Sequence, residues 1–105
     1  MRRVELSAGE WSVSAFLASG FMDRFLGKFR IAPGAVVVLP VRSVHSFGQR
    51  EPIELVAVDR QMRVVATCTL LPNRVSHLPA ARLIVELPAG SAVPRVDDRL
   101  VMTDG

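Results

Sequence analysis

The apolar residues of this chain arrive in short runs, and that punctuation constrains the fold more than any other feature. Val4–Leu6, Trp11–Phe16, Ala35–Leu39, Val41–Phe47, Ile53–Val58, Arg63–Leu71, Leu83–Leu87 and a weaker Arg99–Met102 are each of strand length. Prolines, glycines or polar clusters stand between them, as they do between strands rather than inside helices. In Trp11–Phe16 the apolar Trp11, Val13 and Ala15 alternate with Ser12 and Ser14, so one face is buried and the other wet. Ala35–Leu39 has no polar residue at all, the pattern of a strand covered on both faces. Ile53–Val58 is apolar everywhere except Glu54.

One segment changes period. Phe21, Met22, Phe25, Leu26 and Phe29 recur at helical spacing, Asp23, Arg24 and Lys28 take the other side, and Ser19 stands where an N-cap belongs. Such a stripe faces a domain core. The expected fold is mainly β: a small barrel or sandwich of six to eight short strands with one short amphipathic helix. Ser7-Ala8-Gly9-Glu10 suits a tight reversal, and Asp59–Met62 closes a second hairpin although it has no glycine. The stretch from Pro72 to Ala80, with its two prolines, reads as a loop.

A chain of 105 residues has material for one hydrophobic core, so residues 1–105 are expected to form a single domain. The longest apolar stretch, Ile31–Val41, is interrupted by Pro33, Gly34 and Pro40 and falls short of the roughly 20 residues a spanning helix needs. Arg2 and Arg3 resemble the start of a signal peptide, but Glu5, Gly9 and Glu10 occupy the place of its apolar core, which predicts a cytoplasmic address. Cys68 has no second cysteine to pair with and reads as a small buried hydrophobe. The net charge of +3 comes from arginines spread singly along the chain, with acidic residues near several of them. A nucleic-acid binder concentrates its charge and adds stacking aromatics, so this distribution disfavours one.

Glycine-rich phosphate loops, zinc-type cysteine pairs, helical histidine pairs and nucleophile elbows are all missing. No catalytic residue, metal or cofactor is therefore expected. The polar residues that stand out are Ser43, His45 and Ser46 within Arg42–Gly48, then Glu54, Arg74 and Glu86. If Val41–Phe47 is extended, Ser43 and His45 share one face and Val44 and Ser46 the other. His45 beside Glu54 would make an acid/base or ligand-holding pair if their strands are neighbours, because a carboxylate orients an imidazole. The alternative is a hydrogen-bonded structural histidine. A carboxylate in an apolar strand needs a partner, and Arg74, Arg42 or His45 would serve Glu54. His77 reads as solvated, Glu86 as turned to water or paired with an arginine, and Trp11 and Phe47 as core or as pocket wall.

Gly20-Phe21-Met22-Asp23-Arg24, Ser43-Val44-His45-Ser46-Phe47-Gly48, Pro52-Ile53-Glu54-Leu55-Val56, Asp59 and Val85-Glu86-Leu87-Pro88-Ala89-Gly90 follow one another in an order that resembles the bacterial and archaeal domain of unknown function number 192. The resemblance runs from Val4 to Leu100. The family pattern reads Val-His-Thr-Phe-Gly-Met and then Ile-Asp; here Ser46 stands for the threonine, Gln49 for the methionine and Glu54 for the aspartate. It implies a small β-rich domain and no particular reaction. The leading expectation is a non-catalytic binding or accessory domain whose face around His45, Glu54 and Arg74 takes a small polar ligand, a peptide or a protein partner. A small hydrolase or lyase using His45 as general acid or base is the alternative, and an accessory of a secretion or pilus-type assembly is a third.

Overall fold

In a computed structural model of the chain the described residues are 2–18 and 34–105. Nine strands lie among them: β1 Arg2–Ala8, β2 Trp11–Leu17, β3 Val37–Leu39, β4 Ser43–His45, β5 Ile53–Val58, β6 Val64–Leu70, β7 Val75–His77, β8 Leu83–Pro88 and β9 Val101–Asp104. The protein is mainly β. The helix expected over Phe21–Phe29 lies outside the described residues. No helix among the described residues is long and apolar enough to cross a membrane.

Seven strands form one sheet in the order β6-β5-β8-β3-β2-β1-β9, antiparallel except for β2 beside β3, and β4 and β7 make a separate antiparallel pair. The two ends of the large sheet do not zip together into the expected closed barrel. Edge strand β6 and the chain leading into β9 touch at the isolated Arg63–Arg99 bridge, supported by Val64 N–H donating to Asp98 O (2.8 Å) and Leu100 N–H donating to Met62 O (2.7 Å). A turn at Arg95–Asp98, with Asp97 at φ 78°, leaves room for one bridge before Val101 joins β1.

Alternation along each strand sorts the side chains into two cores. Val56 and Val58 of β5 join Val4, Leu6, Ala15, Val38, Val64, Val85, Leu87 and Leu100 on the inner face of the curved sheet. Leu55 and Ala57 point the other way and pack with Val44, Leu70, Ala81 and Ile84. The β4–β7 pair thus roofs the outer face of β5 and β8, which is why β5 is apolar on both sides. A second full sheet, as in a sandwich, is not present among the described residues; three-residue strands roof the outer core instead.

The turns follow local chemistry. Gly9 at φ 61° opens the two-residue loop between β1 and β2, the first central position of a type II′ turn, where glycine is wanted. Between β5 and β6 no glycine is needed. Asp59 Oδ1 accepts the N–H groups of Gln61 (2.9 Å) and Arg63 (3.0 Å), and Met62 itself takes the left-handed backbone at φ 64°. Cys68 departs from expectation: it is exposed, because β6 is an edge strand and the small roof does not reach it. Trp11 packs against the inner core and its Nε1–H donates to Ala92 O at 2.8 Å.

Candidate functional site

The small sheet begins from one buried side chain. Val44 is the only residue of β4 that faces the outer core, so its neighbours Ser43 and His45 must point to solvent. Ser46 follows on the buried side and is fully enclosed. Its hydroxyl donates to Leu71 O (2.6 Å), with a longer approach to Arg74 O (3.3 Å), and accepts the Arg74 N–H (2.9 Å). Its backbone N–H donates to Arg74 O (2.9 Å), while its carbonyl accepts Asn73 N–H (3.0 Å) and Gln49 N–H (3.2 Å). One small side chain therefore clamps the turn after β4 to the turn before β7. Asn73, left-handed at φ 59°, adds a bond from Gly48 N–H to its Oδ1 (3.2 Å).

On the outward face, cross-strand register sets Ser43 opposite His77 and His45 opposite Val75. Ser43 Oγ and His77 Nδ1 are 2.6 Å apart. The His45 ring stacks on Phe47 with centroids 5.2 Å apart and planes 25° from parallel. Phe47 and Val75 are 59% and 60% exposed, so this row is an open surface rather than a cleft.

The structure brings Ser43, His45, Ser46 and Arg74 together and puts Glu54 elsewhere. Arg74 contributes mainly its backbone; its exposed guanidinium donates to Asn73 O at 3.3 Å. Glu86 lies on β8, in register with Val37 and Leu55 and partly buried. Glu54 alternates with Leu55 and so projects from the inner side of the large sheet, opposite the side that carries β4. Its partners are not cations. Thr69 Oγ1–H, directly across the ladder, donates to Oε1, and Gly90 N–H donates to Oε2 at 2.7 Å. His77, Phe47 and Val75 belong to the site although their sequence context gives little notice of it.

The Thr69 hydroxyl and, after it, the Gly90 N–H hold the Glu54 carboxyl below its ordinary value of 4.5, with burial opposing weakly. A carboxyl whose folded pKa is depressed stabilises the fold fully above its unfolded value and loses that contribution as pH falls through the folded one. Glu54→Gln is expected to lower stability at neutral pH by about 1 kcal/mol, a charge-assisted bond discounted for its solvated rim position. Urea midpoints measured down a pH series test this. The gap between wild type and variant must shrink as the pH drops below the ordinary carboxyl range, and a constant gap would rule the carboxylate out as its source.

The architecture defines a class first: an open β-sheet domain with a two-stranded roof, an arrangement found in solved proteins of low sequence similarity. A protein of unknown function from Novosphingobium aromaticivorans superimposes with a TM-score of 0.72 at 14% identity, covering 94% of this chain and 83% of the other. A candidate transcription regulator from Sinorhizobium meliloti superimposes with a TM-score of 0.68 at 16% identity, covering 96% and 92%. At such identities the likeness concerns the fold alone. The chain is also 32% identical over 102 residues to a UPF0127 protein of Pyrococcus horikoshii, spanning 86% of this chain and 88% of the relative. It belongs to the UPF0127 family. No protein-family model matches the chain. The UPF0127 relative and the Novosphingobium protein are themselves uncharacterised, and no specific function follows from them.

Proposed function

We propose that this chain is a non-catalytic binding domain that presents the outward row of the β4–β7 sheet, Ser43, His45, Phe47, Val75 and His77, to a ligand or protein partner. The observation that carries the reading is the buried Ser46 clamp. It holds an exposed row of polar and aromatic groups on a backbone tied at several points, and preorganisation of that kind lowers the entropic cost of binding. The likeness of Ser43–Gly48 to the motif of the domain of unknown function number 192 supports the same choice of segment.

An NMR screen of the folded protein against small anions, sugars and short peptides tests it. Shifts are expected to concentrate on the amides of residues 43–47 and 75–77 and on both imidazoles. Hits clustered around Glu54 and Gly90 instead would refute this face as the binding surface.

A hydrolytic reading has one observation in its favour, the 2.6 Å contact of Ser43 Oγ with His77 Nδ1, a hydroxyl within reach of a base. Neither His45 nor Glu54 takes part in that contact, unlike the pair expected from the sequence. Hydrolysis of a nitrophenyl ester that disappears in Ser43→Ala would support it, and equal background rates would end it.

A further inference from the structure

We infer that the partner of the small sheet is an extended acidic peptide segment with apolar side chains, laid alongside β7; this rests on the reading of that sheet as the binding face. Charge is the first observation. Residues 40–52 and 71–82, which build the small sheet and its loops, contain Arg42, Arg50, Arg74 and Arg82 against a single acidic residue, Glu51. The remaining chain holds nine basic and nine acidic residues, so the whole net charge of +3 belongs to this part. Spread singly in sequence, Arg42 and Arg74 flank the two ends of the β4–β7 ladder, opposite Leu78 and Ser46, and all four arginines are exposed. A one-sign surface attracts an oppositely charged partner, and guanidinium groups match carboxylates with paired hydrogen bonds.

The second observation is apolar. Phe47, Leu71 and Val75 are each more than half exposed, three of the four large hydrophobic residues so placed among the described residues. They lie together: the Ser46 hydroxyl holds Leu71 beside the β4 turn, and Val75 sits across from the His45 that stacks on Phe47.

The third is a strand edge. Leu78 N–H donates to Arg42 O and Ser46 N–H to Arg74 O, which makes Val44 and Ser76 the hydrogen-bonded pair between them. By antiparallel alternation the N–H and C=O groups of Val75 and His77 then point away from β4, and among the described residues β7 has no other strand neighbour. A peptide backbone satisfies such an edge. Nucleic acid would want several stacking aromatics, whereas Leu71 and Val75 offer none, and a lipid surface makes no use of a strand edge.

The probe is the peptide Glu-Val-Glu-Phe-Glu-Val-Glu, with Lys-for-Glu and Ser-for-apolar versions as controls, followed through the Val75 and His77 amides. The acidic apolar peptide is expected to bind and both controls to fail. Arg42→Glu and Arg74→Glu, at exposed positions, should each weaken binding about tenfold. Val75→Pro removes an N–H that the β4 ladder does not use, so it should abolish binding while the urea midpoint holds. Equal binding of the Lys version, or full binding to Val75→Pro, overturns the inference. If oligothymidylate or phosphatidylserine vesicles perturb these amides and the peptide does not, the peptide is wrong and the binding face survives. If no probe perturbs them, or the peptide's shifts lie elsewhere, both readings fall.

Discussion

Replacing Ser46 with valine is expected to destabilise the domain by about 3 kcal/mol, a shift of about 15 °C in Tm for a chain of this size. Ser46 is fully enclosed, and its hydroxyl both donates to Leu71 O and accepts from Arg74 N–H. Valine supplies neither function, so an acceptor and a donor in the turn before β7 lose their partner away from water. Threonine has almost the same shape as valine and keeps the hydroxyl, so Ser46→Thr isolates the hydrogen bonds from the added bulk. Thermal or urea unfolding of the two variants is the measurement. Valine should be far the worse, and equal losses would mean that volume, not the clamp, is what the site demands. The outward row should suffer with it, since the turn bearing Phe47 is tied to Asn73 and Arg74 through the same residue.

Leu55→Ala is the second large effect, about 3 kcal/mol, the usual cost of emptying a leucine-sized space in a packed core. Leu55 sits in β5, between β6 and β8, with no exposure and packs among Val44, Ala57, Leu70, Ala81 and Ile84, where the small sheet rests on the large one. Its neighbour Val56 is equally buried but faces the inner core. The two positions therefore separate the cores. Leu55→Ala should speed hydrogen exchange at the Val44 and Ser76 amides well beyond its effect on β1 and β2, while Val56→Ala should loosen the inner-core strands first. If both variants changed protection uniformly, the two cores would be one cooperative unit and the small sheet would not be separately seated.

Much of the β architecture was legible because its signals are local. Alternation over Trp11–Phe16 placed Ala15 inside and Ser12 and Ser14 outside in β2, and the Ile53–Val58 run, apolar but for Glu54, announced β5. The demand of Glu54 for a partner was equally legible, since a carboxylate in an apolar strand requires one. Which partner was not. Thr69 reaches it through the β5–β6 register and Gly90 through the turn after β8, and neither pairing is written in the residues around Glu54. The expected His45–Glu54 pair failed for the same reason: alternation sends Glu54 to one side of the sheet and β4 lies on the other. β7 was hidden because Pro72 and Pro79 bracket so short a strand that propensity alone reads loop.

Ser43 and His45 facing one way and Val44 and Ser46 the other was determined by the sequence itself, as were the strand-length runs and the glycine at the first hairpin turn. All three follow from the two-residue period of an extended chain and from backbone preferences of single residues. Only the tertiary structure decided that Ser43 meets His77, that a buried Ser46 clamps residues 71–74, and that Arg42 and Arg74 flank the two ends of one small sheet. These depend on register between distant strands. Register is set by how Val44 seats against Leu55 and Ile84, a packing choice between segments that no local period encodes.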